Sequence, residues 1–335
     1  MTIASTRFGR TGLKVSRLAL GTMTFGLQIE EPESQRILDK AVGAGINFID
    51  TADVYPLGGT LQTQGRTEQI IGRWLQADKT RRQNLVIATK AHGVAGPNAW
   101  DQGSSRKHLL DAIDKSLARL QTDYVDLYQL HGDDADTPLD EMLEALDVIV
   151  KSGRARYVGV SNFLAYRLAK ALGRAELLRL TKFISVQPRY SMLFREIERE
   201  LLPLVAEEGL AVIPYNPLAG GMLTGKYQKG SAPVEGTRFT LGKAAGRYQD
   251  RYWNDRCFDT VAEVQAIAKE AGVPLTTLAV AWVMANPLVT APLLGASRPE
   301  QLDDTLAAAT YKLDPALKKR LDDLTHEYRY GDAVR

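Results

Sequence analysis

The sequence has little of what announces several classes of protein. It contains one cysteine, Cys257, so neither an internal disulfide framework nor a cysteine-based metal cluster can form, and an inert thiol is expected. Charge of one sign is not in excess. Forty-two Lys and Arg against 40 Asp and Glu leave +2, too little for a general attraction to nucleic acid or an anionic membrane. Any anion the chain binds must be held by a local cluster. No apolar run approaches about 18 residues, and Met1 to Arg10 lacks a basic stretch followed by an apolar one. A soluble, cytoplasmic protein without membrane contact is expected. Also missing are a His-x-x-x-His metal pair, a Gly-x-Ser-x-Gly elbow and a Gly-x-Gly-x-x-Gly turn, which argues against a zinc hydrolase, a serine hydrolase and a doubly wound dinucleotide domain. No metal site is expected.

What the chain does have is a repeated alternation. Apolar, β-branched runs occur at Leu18 to Leu20, Asn47 to Ile49, Leu85 to Ala88, Tyr124 to Leu130, Ala155 to Val160, Phe183 to Val186, Ala211 to Pro214 and Thr290 to Leu294. Between most of them lies a stretch of helical period, such as Leu109, Leu110, Ile113, Leu117 and Leu120. Ile37 to Val42 is another, stopped at Gly43 to Gly45, and Thr137-Pro138 reads as the cap and first residue of a third. Parallel strands joined by helices follow, and eight units predict an α/β (β/α)8 TIM barrel, one domain over residues 1–335. A turn at Gly9 to Gly12 predicts an N-terminal hairpin closing the opposite end. Two long catalytic-face loops are expected, at Tyr55 to Arg66 and at Tyr227 to Trp253, with a final helix over Glu300 to Ala309.

Barrel chemistry sits where strands end. The runs end on Gly21-Thr22, Asp50-Thr51, Thr89-Lys90, Gln129 and His131, Ser161-Asn162, Gln187, Tyr215-Asn216, and Gly295 to Arg298. A lone His or Lys there is ordinarily structural or solvated, but Asp50 and Lys90 end neighbouring strands and can pair. Tyr55 can fold back over the same mouth. Together they form a proton-transfer group: an ammonium lowers the tyrosine pKa from its usual value of about 10, Asp50 holds the ammonium, and His131 donates to a carbonyl oxygen. Gly220 to Lys226 has P-loop spacing, yet Tyr227 stands where magnesium needs Ser or Thr. His92 and His108 read as structural or solvent-facing, and Asp133, Asp134 and Asp136 as loop residues.

These motifs resemble the aldo-keto reductase family, closest to its potassium-channel β-subunit-like and bacterial general reductase branch. Phe48 to Tyr55 is similar to the family's first signature, Val86 to Lys90 to its lysine strand, and Asp126 to His131 to its histidine strand. The likeness continues through Tyr157 to Phe163, Val186 to Ser191, Pro214 to Gly221 and Leu294 to Leu302, covering Arg7 to about Thr325. It implies NADPH as cofactor and a small-molecule carbonyl substrate, reduced with Tyr55 as acid, Lys90 and Asp50 as its partners and His131 orienting the carbonyl. Cofactor contacts are implied at Gly21, Thr22, Ser161, Asn162, Gln187, Tyr215, Asn216, Pro217, Leu218, Gly220, Gly221, Lys226, Arg238, Gly295, Ser297, Arg298, Gln301 and Asp304. Arg298 itself suits a 2′-phosphate, while Ser297 to Glu300 also reads as a helix-capping box. Asp304 and Thr305 depart from the commoner family residues, which leaves the adenine contacts open, and Asn216 stands where many relatives have serine, which keeps a polar side chain.

Two other readings stay open. A cofactor-binding regulatory subunit with little turnover would resemble the channel subunits, although those commonly depart at the position of His131. A Schiff-base aldolase using Lys90 would ignore NADPH. The substrate, and whether the chain is a monomer or homo-oligomer, are not legible.

Overall fold

The computed structural model describes residues 3–331; the remaining terminal residues of the expected 1–335 domain lie outside the described residues. The chain opens with the expected hairpin, β1 (Ser5–Arg7) antiparallel to β2 (Lys14–Ser16), with Thr6 opposite Val15. Its turn presses against the barrel floor: a Cβ on Gly9, at φ +57°, would lie 2.8 Å from the amide of Ala211, so glycine is required there. Phe8, fully buried, plugs the bottom and meets Phe48 edge-on at 5.7 Å.

Eight parallel strands follow: β3 (Ala19–Gly21), β4 (Phe48–Asp50), β5 (Val86–Ala91), β6 (Val125–Leu130), β7 (Ala155–Ser161), β8 (Ser185–Gln187), β9 (Ala211–Val212) and β10 (Leu293–Leu294). Their order around the sheet is β10-β3-β4-β5-β6-β7-β8-β9. Hydrogen bonds from Thr290 to Val212 (2.8 Å) and from Leu293 to Pro214 (2.9 Å) join the last strand to β9 and close the ring. The fold is a (β/α)8 TIM barrel, and each expected apolar run overlaps one strand, most strands running one to three residues further.

Amphipathic helices sheathe it: α1 (Glu31–Gly43), α2 (Arg66–Ala77), the short α3 (Thr80–Asn84), α4 (Arg106–Leu120), α5 (Leu139–Lys151), α6 (Ala165–Leu178) and α7 (Leu201–Glu208). The span between β9 and β10 holds α8 (Ala245–Tyr252), α9 (Asp255–Glu270) and α10 (Leu275–Met284), and α11 (Leu302–Ala307) and α12 (Pro315–Leu324) complete the chain. Their buried stripes, such as Leu109, Ala112, Ile113 and Leu120 on α4, form one core against the strands' outer faces. A second core fills the barrel itself with Phe8, Phe48, Val86, Ala88, Leu127, Ile213 and Leu293. Among the described residues no single helix is long and apolar enough to cross a membrane.

Three local expectations are corrected. The residue capping α5 is Pro138, because the Thr137 hydroxyl is taken by Asp134 (2.6 Å) and leaves no side-chain cap. The stretch Tyr227 to Trp253 is not loop throughout, since α8 lies within it, its buried face built from Tyr248 and Tyr252 one turn apart. The final helix begins with a tight turn at Pro299–Gln301 before α11.

Candidate active site

Strand parity decides which side chains reach the mouth of the barrel. Successive residues alternate between its interior and its outer face, so an interior apolar residue fixes the direction of the residue two places on. Phe48 in the interior sets Asp50 inward, and Val86 and Ala88 do the same for Lys90. Leu127 sets Gln129 and then His131, Ile213 sets Tyr215, and Leu293 sets Gly295. The polar ring read from the strand ends is therefore the top layer of the same interior column.

At its centre Lys90, wholly buried, donates to Asp50 Oδ2 at 2.5 Å and to the Thr51 carbonyl at 2.8 Å. The other carboxylate oxygen, Oδ1, accepts from the side-chain amides of Gln129 (3.0 Å) and Gln187 (2.8 Å). Thr22 binds the Asp50 carbonyl through its backbone N–H (3.1 Å) and its hydroxyl (2.9 Å). Both carboxylate oxygens of Asp50 are thus hydrogen-bonded, which is what a buried carboxylate requires. Burial pushes the Lys90 pKa down, opposed by the Asp50 charge.

Tyr55 lies on this pair. The Lys90 ammonium is 5.1 Å from its ring centroid, and the His131 ring stands edge-on to it at 5.5 Å. Burial raises the Tyr55 pKa well above its ordinary value, with the Asp50 carboxylate adding to the rise. This corrects the expectation of a lowered value: the ammonium is already claimed by Asp50, so burial dominates and Tyr55 stays a protonated acid. Burial, with Lys90 next, holds His131 well below the usual histidine range, so the imidazole is neutral.

A single cleft of about 1380 Å³ is lined by Asp50, Tyr55, His131 and all eighteen residues expected to touch a cofactor; Lys90 lies just beneath its floor. At one end Asn162, at φ +59°, accepts from the Tyr215 hydroxyl (2.8 Å) and donates to the His131 carbonyl (3.0 Å), while Ser161 donates to the Gln187 carbonyl (2.8 Å). In the middle, Ala219, Gly220 and Gly221 run consecutively with positive φ, presenting backbone in a tight cradle. A Cβ on Gly220 would meet the Tyr248 ring at 2.7 Å. Arg238 reaches the Tyr248 hydroxyl at 3.4 Å, and Lys226 lies 5.0 Å over the Tyr227 ring. At the far end Gln301 reaches back to the Ser297 amide (2.8 Å) and hydroxyl (3.2 Å). That replaces the expected capping role of Glu300. Arg298 is exposed beside it, and Asp304 faces Thr276 (3.4 Å). The cleft exceeds the roughly 300–1,000 Å³ of ordinary ligand pockets, enough for a dinucleotide with a substrate beside it.

Some lining residues were not singled out by the sequence. His92, expected to be structural or solvent-facing, lines the cleft with Val54, Leu57 and Val94, as do Arg247 and Arg251 on α8 beside Tyr248. Behind β5 lies a separate buried network. Glu68 accepts from Thr89 (2.5 Å) and Arg119 (2.6 Å), and neither Asp53 oxygen has a hydrogen-bond partner among the described residues. Burial, with Glu68 next, raises the Asp53 pKa well above the carboxylate range. His108 is buried at the same small pocket. Cys257 is buried, and among the described residues no group of three His, Cys, Asp or Glu could hold a metal ion.

This barrel, with a ring of polar strand ends over a buried Lys–Asp pair, is a fold that many enzyme families share. Comparison with known proteins narrows it: residues 17–326 match the model of the aldo/keto reductase family, and the chain belongs to that family. It is 41% identical over 324 residues to an uncharacterized oxidoreductase, YrpG, of Bacillus subtilis, covering 95% of each chain. A probable voltage-gated potassium channel subunit beta of Arabidopsis thaliana is 39% identical, with 90% of this chain and 89% of that one covered. Versiconal hemiacetal acetate reductase of Aspergillus parasiticus is 31% identical, with 92% and 93% covered.

Proposed function

We propose that the protein is an NADPH-dependent reductase that converts an aldehyde or ketone to an alcohol. The observation that carries this reading is the buried Lys90–Asp50 pair under Tyr55, with neutral His131 edge-on beside it, at the floor of the cleft. Bound NADPH would supply the hydride to the carbonyl carbon. The His131 ring N–H orients the carbonyl oxygen by a hydrogen bond and stabilises the charge that grows there. Tyr55 gives its phenolic proton to that oxygen. A high resting pKa keeps the proton in store, and the Lys90 ammonium offsets the charge left on the phenolate as it departs. Asp50 keeps Lys90 charged and fixed.

The cofactor residues fit NADPH in kind. Asn162, Ser161, Gln187 and Tyr215 suit a nicotinamide, which needs carboxamide partners and an aromatic face. The cradle at Asn216, Pro217, Leu218, Gly220 and Gly221 with Lys226 and Arg238 suits a pyrophosphate. Exposed Arg298 with Ser297 suits a 2′-phosphate, with Gln301 and Asp304 towards the adenine. Gly21, Thr22 and Gly295 line the same cleft with small side chains or none, which leaves room for the cofactor there. Tyr55→Phe tests the reading: it keeps the ring and removes the proton, so carbonyl reduction falls by about 10²–10⁴ while NADPH still binds.

The name of the plant channel-subunit relative supports a second reading, a cofactor-binding regulatory subunit. Complete Asp50, Tyr55, Lys90 and His131 weigh against it. Binding of NADPH without its oxidation by any of a broad carbonyl panel would favour it.

A further inference from the structure

The helix α8 brings to the cleft more positive charge than a dinucleotide calls for. NADPH carries roughly four negative charges on its phosphates, and Lys226, Arg238, Lys269 and Arg298 line the cleft to match them. Arg247 and Arg251 are surplus. They lie one helical turn apart on α8, both line the cleft, and neither has an acidic partner among the described residues. Many other guanidiniums of the protein are paired, as in Arg73 with Glu31, Arg82 with Asp126, Arg119 with Glu68 and Arg174 with Asp140. The acid on the same helix, Asp250, is exposed and does not line the cleft.

Their position points at the reacting end. Tyr248, between the two arginines in sequence, has its hydroxyl 3.4 Å from both Asn216 and Arg238. Arg238 acts electrostatically on Tyr55, and Arg251 and Arg247 on Tyr215, and all five line the one cleft. The helix therefore lines the same cleft as Tyr55 and Tyr215, with Tyr248 beside Asn216. The cleft also has apolar lining from Val54, Leu57 and Val94.

Resting on the reductase reading above, we infer that Arg251 and Arg247 form an anion subsite, and that the substrate is a carbonyl compound carrying a carboxylate or phosphate on a short carbon body. A guanidinium fork suits either oxyanion, and Arg251, half-buried and without an acidic partner among the described residues, gains most from it, with exposed Arg247 beside it. The subsite takes no part in the chemistry. It holds the acidic end so that the carbonyl meets Tyr55 and His131.

Matched substrate pairs test this. With NADPH, 4-carboxybenzaldehyde is compared with its methyl ester, and glyceraldehyde 3-phosphate with glyceraldehyde. We expect kcat/KM to favour the acidic member of at least one pair by tenfold or more; which pair responds distinguishes carboxylate from phosphate. Arg251→Gln and Arg247→Gln should each lower kcat/KM for that acid at least fivefold more than for its neutral mate, chiefly through KM, and Arg251→Lys should restore part of it. A second readout needs no turnover: quenching of NADPH fluorescence in the loaded protein by 4-(hydroxymethyl)benzoate, with its methyl ester as control. Acid binding that both glutamine variants weaken, in a protein that reduces nothing, would uphold the subsite and sink the reductase reading. Neutral members reduced as well as acidic ones, or variants that weaken NADPH itself instead, would overturn the subsite and leave the reductase reading standing.

Discussion

Replacing Asp50 by Asn keeps the shape of the side chain and removes one acceptor and one charge. The carboxylate serves three donors at once, Lys90 on one oxygen and Gln129 and Gln187 on the other. An amide has one oxygen. If that oxygen faces Lys90, its NH₂ is turned against the two glutamine NH₂ groups; if it faces them, the NH₂ is turned against the ammonium. In the second orientation a wholly buried lysine keeps only the Thr51 carbonyl, and in both it loses its counter-charge. Leaving one member of a buried pair uncompensated costs about 3–5 kcal/mol. At roughly 2.1 cal/mol/K per residue, unfolding this chain has an entropy of about 0.7 kcal/mol/K, so a 4 kcal/mol loss lowers the thermal midpoint by about 6 °C. Lys90→Met should cost less, about 3 kcal/mol or 4 °C, because Asp50 then still accepts two amide N–H groups and can take up a proton. The double variant should fall by about 6 °C rather than the sum of about 10 °C, since the second change relieves what the first left exposed. Thermal unfolding of the four proteins without added nucleotide reads this directly. Additive losses, or a larger loss for Lys90→Met than for Asp50→Asn, would refute the pairing as the organising interaction.

Other outcomes follow from the same geometry. Folded Asp53 keeps its proton at pH values where the unfolded chain has lost it, so the folded state binds more protons and stability declines as pH rises above about 3.8. Asp53→Asn cannot ionise, so its thermal midpoint relative to the unaltered protein should improve between pH 4 and pH 8; a constant offset would argue against a neutral buried acid. With Tyr55 raised and His131 lowered, neither group titrates near neutrality, so kcat for reduction should be flat from pH 6 to 9. A bell centred there would contradict the protonation states assigned. Arg298→Glu should weaken NADPH at least tenfold while changing NADH little, measured by fluorescence titration; equal losses would remove the 2′-phosphate role.

How much of this was legible in the sequence depended on whether a feature announces itself locally. The strands did, because each is a short β-branched run, and parity then carried the reading from Val86 and Ala88 to Lys90 and from Leu127 to His131. Gln129 as a partner of Asp50 was available by the same parity, but a strand glutamine says nothing of its partner across the barrel. The helix α8 was masked by a composition of Gly, Arg and Tyr; its only signal was the four-residue spacing of Tyr248 and Tyr252. The Ser297 to Glu300 box and the Thr137 cap failed because other side chains, Gln301 and Asp134, reached those groups first. The rise of the Tyr55 pKa rests on burial, which no motif reports.

The central claim is that Tyr55 supplies the proton for carbonyl reduction. Single-turnover oxidation of preloaded NADPH by a reactive aldehyde, compared between the unaltered protein and Tyr55→Phe, tests it most directly. The account predicts loss of hydride transfer by at least a hundredfold, with the affinity for NADPH retained. Transfer within a few-fold of the unaltered protein would contradict it.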